Sequence, residues 1–185
     1  MPEKVIILNF SARKCGNCGA ISSVIEQYHD KANIYSYKIG EIWTPCGECD
    51  YECLRTDVTC PSITDSQKEV MDAIVSADIV YYIVPNYCGF PPASFFAFNE
   101  RSVGYFNLNR ALMAQYMAVP KKFIIVSNTE NDAFLQAMKQ QAKEPNILYL
   151  KTSQYQRKSI AGDLMEVEDA KKDLLEFLAS DNDHA

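Results

Sequence analysis

Several kinds of feature are missing from this 185-residue chain, and each absence argues against a class of function. No apolar run approaches the roughly 18 to 20 residues of a membrane span, and the opening residues, MPEKVIILNF, do not have the form of a secretory signal. The 18 Lys and Arg residues are scattered in a chain of net charge −6, so no basic stripe suits a nucleic-acid backbone. With two isolated histidines, His29 and His184, and no paired carboxylates, the sequence does not predict a hydrolase. We therefore expect a cytoplasmic protein that binds neither membrane nor nucleic acid.

The alternation of apolar strands with amphipathic helices predicts an α/β fold. The expected strands are 4–10, 33–39, 78–84, 121–126 and 147–150, and the expected helices are 19–28, 67–76, 93 to about 117, 132–142 and 167–178. Right-handed crossovers would join these strands into a five-stranded parallel sheet of order 2-1-3-4-5. We expect one domain over residues 1–180, with a cysteine-rich loop at 40–66 and a frayed tail at 181–185. In that order, ligand binds where the loops 10–18 and 85–92 meet.

The loop after the first strand has the parts of a phosphate site. If a helix begins near Gly16, its backbone N–H groups and the positive end of its dipole face the loop. Ser11 and Asn17 can add neutral hydrogen bonds, and Arg13 and Lys14 can offset a dianion. The alternative is that Asn17 caps the helix and both cations are solvated.

Two cysteines in the same loop allow a different chemistry. Cys15 and Cys18 are spaced C-x-x-C at a helix start, where a lowered thiol pKa would favour a dithiol redox pair. The surrounding Ser11, Arg13 and Gly16 are better explained as phosphate contacts. The dithiol protein is therefore the weaker hypothesis.

A second group of cysteines lies in the irregular segment 40–66. Cys46, Cys49, Cys53 and Cys60 are spaced C-x2-C-x3-C-x6-C. Four crowded thiolates can hold a [4Fe-4S] cluster, and a Pro follows the last cysteine as in some ferredoxin runs. Zinc is a second candidate, and thiols without metal are a third.

Two loops of the chain resemble those of flavodoxin-like NAD(P)H-dependent FMN reductases, a family that includes iron-sulfur flavoproteins. The first loop of that family reads roughly G-S-P-R-x-x-G-N-T, and this chain has FSARKCGNC at 10–18. The family's Pro-x-Tyr turn after the third strand matches PNYCG at 85–89, and Glu100-Arg101 stands where the family has Asp-Arg. Phe10, Ala12 and Cys18 depart from the usual Gly, Pro and Thr.

The resemblance implies a flavodoxin-like three-layer sandwich that binds FMN and moves electrons from NADH or NADPH to an acceptor that the sequence does not identify. The implied FMN contacts are Ser11, Arg13, Lys14, Gly16, Asn17, Cys18, Pro85, Asn86, Tyr87, Cys88, Gly89 and Ser127. No side chain need act as acid or base, since the flavin carries the chemistry. In the iron-sulfur members a compact cysteine run holds the cluster, which would here correspond to the four cysteines at 46–60. The alternative function is a flavin- or metal-binding module without turnover.

The predicted helix from 93 to about 117 has more apolar surface than one face needs. We expect this surface to form a homodimer or homotetramer, as it commonly does in the family. A larger internal core is the alternative.

Overall fold

The computed structural model describes residues 2–42, 46, 50–55, 60, 66–128, 132–158 and 160–180. Five strands form one parallel sheet: β1 (Lys4–Asn9), β2 (Asn33–Lys38), β3 (Ile79–Pro85), β4 (Lys121–Ser127) and β5 (Asn146–Lys151). Their spatial order is β2-β1-β3-β4-β5. The predicted strand order is confirmed, and each strand lies within two residues of its expected bounds.

Seven α-helices occur in the described part of the chain: α1 (Asn17–Tyr28), α2 (Ile39–Ile42), α3 (Ser66–Val75), α4 (Ala93–Phe106), α5 (Arg110–Ala118), α6 (Asp132–Met138) and α7 (Glu168–Ala179). Two 3-10 turns, Glu52–Leu54 and Leu164–Glu166, complete the elements. No helix in this described part is long and apolar enough to cross a membrane. The predicted tail 181–185 and Cys49 lie outside the described residues.

The core lies in two layers, one on each face of the sheet. Because successive strand side chains point to opposite faces, Ile6 and Leu8 of β1 face one cluster while Val5 and Ile7 face the other. The first cluster includes side chains of α3, α4, α5 and α6, and the second includes those of α1 and α7. The expected three-layer arrangement is confirmed.

The prediction of a single helix from 93 to about 117 is wrong. The chain forms two helices, α4 and α5. Between them, Asn107 and Leu108 adopt left-handed backbone conformations with φ of 39° and 62°. Asn109 then caps α5, since its Oδ1 accepts the Leu112 N–H at 3.0 Å. The helix expected over 132–142 is also shorter, because Gln140 and Gln141 close tighter bonds to carbonyls three residues back.

Candidate functional site

A cavity opens at the carboxyl edge of the sheet, between the first loop and the loop after β3. It is lined by Ser11, Arg13, Gly16, Asn17, Cys18, Pro85, Asn86, Tyr87 and Val126. Two loops that are far apart in sequence therefore meet at the switch point between β1 and β3, as the strand order requires. Eight of the twelve predicted FMN contacts are in this lining, while Lys14, Cys88, Gly89 and Ser127 are outside it.

The first loop is held in place by the residue that ends β1. Asn9 is buried, and its Oδ1 accepts the Ser11 N–H at 2.9 Å. Ser11 Oγ in turn accepts the Arg13 N–H at 3.2 Å. Sequence reasoning missed Asn9, although an amide at the end of an otherwise apolar strand was a usable signal.

Gly16 sets the direction of α1 into the cavity. Its φ of 156° and ψ of −179° lie in a region that is close to exclusive to glycine. The first helical hydrogen bond of α1 runs from Ala20 N–H to Gly16 O. The N–H groups in the first turn of a helix are the donors that commonly bind an anion at a helix start.

Asn17 has a role that the sequence did not predict. It is the first residue of α1 rather than its cap, and its buried Oδ1 accepts the Leu164 N–H at 3.0 Å. Gly162 in the same distant loop packs on Gly16, where a Cβ at position 162 would lie 3.3 Å from Gly16 Cα. The loop between β5 and α7 thus contacts and supports the first loop, and the alternative interpretation of Asn17 as the cap of α1 is wrong.

Cys18 is a poor redox thiol. It is 5% exposed, and burial raises its pKa to about 12 even though the Ser11 side chain and Arg13 act in the opposite direction. Cys15 at the other end of the C-x-x-C is exposed. A dithiol cycle needs both thiols to reach thiolate or disulfide forms, so the buried, neutral Cys18 argues against that hypothesis.

Alkylation separates these two thiols. At neutral pH, we expect iodoacetamide to label Cys15 at least tenfold faster than Cys18, because a thiol with a pKa of about 12 is almost wholly protonated. Peptide mass spectrometry of timed samples measures both rates. Unfolded protein is the control, in which the two rates should converge. Equal rates in the folded protein would contradict the burial of Cys18.

The turn after β3 is a tight hairpin. Tyr87 and Phe90 exchange backbone hydrogen bonds of 2.9 and 3.1 Å, and Cys88 and Gly89 between them have φ of 54° and 89°. Two successive positive φ values define a type I′ turn, for which glycine at the second position is favoured. Tyr87 and Phe90 are 43% and 55% exposed, and Tyr87 lines the cavity.

Asn86 fixes this hairpin to the neighbouring strand. Its Oδ1 accepts the Gly89 N–H at 2.7 Å, and its Nδ2 donates to Ser127 Oγ at 2.6 Å. Ser127 therefore acts on the cavity through Asn86, since it is outside the lining itself. Val126, which does line the cavity, was missed because it reads as an ordinary strand residue.

The sequence matches no protein-family model and no curated protein. Solved structures do match. The Trp repressor binding protein from Bacillus subtilis has a TM-score of 0.62 and 14% identity over 96% of this chain and 100% of that one. The NAD(P)H:quinone oxidoreductase from Methanothermobacter marburgensis has a TM-score of 0.62 and 13% identity over 96% of both chains. The flavoenzyme NAD(P)H:(acceptor) oxidoreductase from Paracoccus denitrificans has a TM-score of 0.57 and 16% identity over 95% of both chains.

The fold is flavodoxin-like. At these identities the likeness extends to the fold. Two of these three neighbours are named as NAD(P)H oxidoreductases, one of them as a flavoenzyme. In this flavodoxin-like sheet, the cavity lies at the strand-order switch point, the general ligand position of the fold.

The cysteine-rich segment 40–66 begins beside the cavity of this flavodoxin-like domain, and its described cysteines Cys46, Cys53 and Cys60 lie near α4. Gly40 in α2 packs on the backbone of Ser11 and Ala12. Farther on, Cys46 is exposed, and Cys53 and Cys60 are half-buried. In the described part of the chain, no three His, Cys, Asp or Glu side chains surround a common metal position.

Proposed function

We propose that this protein is an FMN-dependent oxidoreductase that accepts hydride from NADH or NADPH and passes electrons to a separate acceptor. One observation carries the proposal: the cavity at the switch point is lined at one side by Arg13 and the start of α1, and at the other by a tight turn with the exposed Tyr87. The phosphate end and the ring end of FMN need those two environments. The names of the structural neighbours support the same reaction class.

The residues of the cavity fit the phosphate end of FMN. The guanidinium of Arg13 supplies positive charge, and the N–H groups at the start of α1 supply donors. Gly16 allows the backbone to come close to the phosphate. The neutral Cys18 thiol replaces a hydroxyl and is a weaker donor, so the backbone carries most of the binding. Lys14 adds charge from outside the lining.

The turn after β3 fits the ring end. Pro85 and Asn86 line the cavity, and the rigid Tyr87–Phe90 hairpin presents an aromatic ring that can stack on a flat ligand. Cys88 and Gly89 shape the turn, and Ser127 holds Asn86 in place. When bound, FMN supplies the hydride and single-electron chemistry. The protein's residues bind the ring, orient it and limit its contact with water.

The four cysteines raise a finer proposal, a [4Fe-4S] cluster that would accept electrons one at a time. The donor set suits it, because thiolates are the ligands of such clusters. Cys49 lies outside the described residues, and among those described only Cys53 and Cys60 adjoin one point. Two neighbouring thiols are too few ligands for a cluster or a zinc ion.

The subunit arrangement is proposed as a homodimer or homotetramer of single-domain, cytoplasmic chains. Phe96 and Val103, seven residues apart on α4, are 48% and 45% exposed, and Leu108 and Met113 just beyond are 58% and 51% exposed. Residues seven apart share a helix face. This apolar surface supports self-association, which light scattering of the eluted protein would measure.

FMN binding and reduction test the function. We expect protein purified without oxygen to bind FMN, and NADH or NADPH to bleach the flavin absorbance bands. Arg13→Ala should weaken FMN binding by about tenfold, because a charge-assisted contact to the phosphate is lost. Lys172→Ala, on the exposed surface of α7, is the matched control and should bind as the parent protein does.

Two outcomes contradict this proposal. Protein that refuses added FMN at high concentration would remove the phosphate interpretation of the first loop. Protein that binds FMN but is not reduced by either nicotinamide would be a flavin-binding module without turnover.

A further inference from the structure

One face of α4 holds the described parts of the cysteine segment. Glu100 and Gly104 are four residues apart and lie on one side of the helix, and Asn107 is the C-cap that follows its last residue. Glu100 Oε2 accepts the Cys46 N–H at 3.3 Å. With its amide nitrogen facing the segment, Asn107 donates to the carbonyls of Cys53 and Arg55, each at 3.0 Å. We call these three residues the α4 seat.

The absent side chain of Gly104 creates the central part of the α4 seat. A Cβ at position 104 would lie 3.0 Å from Cys60 Sγ, 3.2 Å from Cys60 Cβ and 3.9 Å from Cys53 Cβ. Two cysteines that are separated by six residues in sequence therefore converge on one point. These distances place the Cβ atoms of the two cysteines within about 7 Å of each other, and a shift of the segment that brings them to about 3.5 to 4.5 Å would allow a disulfide.

The local backbone restricts where Cys53 can go. It lies in the 3-10 turn Glu52–Leu54, which begins after Tyr51 in a left-handed conformation, and its carbonyl is held by Asn107. Both thiols are half-buried, in contrast to the deeply buried Cys18. Ordering before reaction reduces the entropy that bond formation costs. These features favour Cys53 and Cys60 as partners over the other cysteines that the structure describes.

We propose that Cys53 and Cys60 form a reversible dithiol–disulfide pair on the α4 seat. Oxidation removes two electrons and two protons from the two S–H groups and forms one S–S bond, with glutathione disulfide or another disulfide as oxidant. Reduction breaks that bond and restores both S–H groups, with two electrons and two protons from a dihydroflavin or a dithiol. The part of this inference that involves flavin rests on the proposed function, whereas the thiol pair itself does not.

The α4 seat and the first loop contact opposite ends of the same helix, α4. Ser94, at the start of α4, donates from Oγ to the Phe10 carbonyl at 3.2 Å, next to the first loop. Ten residues of helix separate Ser94 from Gly104, which is about 15 Å. At the other end of the cysteine segment, Gly40 touches the backbone of Ser11 and Ala12. One helix and one segment thus join the thiol pair to the candidate flavin site.

Thiol trapping tests the pair without FMN. Full-length protein treated with a chelator is equilibrated with glutathione disulfide, quenched with N-ethylmaleimide, digested and analysed by mass spectrometry. We expect a Cys53–Cys60 linkage as the main product and the loss of two free thiols. Dithiothreitol should reverse both changes. Cys60→Ser should abolish the linkage and leave the other thiols titratable.

Glycine variants test the α4 seat. Gly104→Ala should lower the linked fraction at least fivefold, because its methyl group would lie 3.0 Å from Cys60 Sγ and 3.2 Å from Cys60 Cβ and so displace Cys60. Gly19→Ala is the matched control, since a Cβ on this helical glycine has nothing within 4 Å, and it should leave the linkage unchanged. Should Gly104→Ala fold poorly, Asn107→Gly removes the side chain that contacts the Cys53 carbonyl, suits the left-handed backbone at position 107, and should also lower the linked fraction.

Three results would overturn the pair: a Cys15–Cys18 linkage as the main product, no linkage under any glutathione ratio, or iron bound by these thiols in protein purified without oxygen. Reduction of the disulfide through FMN is tested separately from formation of the pair. NADPH or NADH should reduce the disulfide only when FMN is present. A pair that forms and is reduced by dithiothreitol, in protein that refuses FMN, would defeat the proposed function and leave the pair standing.

Discussion

Replacing Gly40 by alanine should weaken FMN binding by at least tenfold. A Cβ at position 40 would lie 2.5 Å from the Ser11 carbonyl carbon, 2.6 Å from Ala12 N and 2.7 Å from Ser11 O. All three are backbone atoms, so no side-chain rotation relieves the contact, and either α2 or the first loop must move. Overpacking of this kind costs about 1 to 3 kcal/mol of folding free energy. A fluorescence titration with FMN and a thermal unfolding curve measure the two effects.

Gly19→Ala supplies the control for this prediction. Gly19 is also helical, but a Cβ there meets nothing within 4 Å, so alanine should stabilise the protein by up to about 1 kcal/mol through helix propensity. FMN affinity equal to that of the parent in Gly40→Ala would mean that the first loop does not need its observed position. The pair of variants therefore tests whether contact with α2 shapes the proposed phosphate site.

The order of strands and helices was predictable because its causes are local. A strand buried on both faces of a parallel sheet is a continuous apolar run, as in β1 and β3, and the helices between them show the 3.6-residue period. The break between α4 and α5 was missed for a physical reason. Asn107 and Leu108 adopt left-handed conformations. Asparagine often adopts this conformation, but leucine rarely does, so the sequence does not predict it at Leu108.

The candidate site was predictable where the strand order brings two loops with recognisable motifs together, and not where a single contact between distant residues supports a loop. The spacing of Ser11, Arg13 and Gly16 pointed to a phosphate, and the structure brings these residues to one cavity with Asn86 and Tyr87. The support of Asn17 by Leu164 spans 147 residues, and no local pattern encodes it.

Gly104 is a second residue whose role the local sequence does not predict. In the sequence it is a residue that weakens a helix, whereas in the structure it lies within the run of α4 and seats two cysteines. Only the positions of those cysteines give the glycine its role.

Lys122→Met should have the largest effect on stability. Lys122 is 1% exposed in β4, and its Nζ donates to the carbonyls of Phe177, Leu178 and Ser180 at 2.8, 2.9 and 2.6 Å. The cation thus closes the carboxyl end of α7, where free carbonyls and the negative end of the dipole favour it. Methionine has similar length and no donor, so the loss should be about 3 kcal/mol, the cost of leaving buried acceptors without a partner.

Chemical denaturation of Lys122→Met and Lys172→Met separates this effect from charge loss alone. Lys172 is also a lysine that contacts α7, but it lies within that helix, and it and Glu176 are 67% and 66% exposed and 3.8 Å apart. Such a surface pair contributes about 0 to 1 kcal/mol, so Lys172→Met should change the free energy of unfolding little. Equal losses in the two variants would mean that the carbonyls of α7 do not depend on Lys122. Since Lys122 lies near the start of β4 and Ser127 ends the strand at the cavity, FMN affinity of the folded variant should be unchanged. A change in FMN affinity as well would mean that the end of α7 and the cavity are energetically coupled through β4.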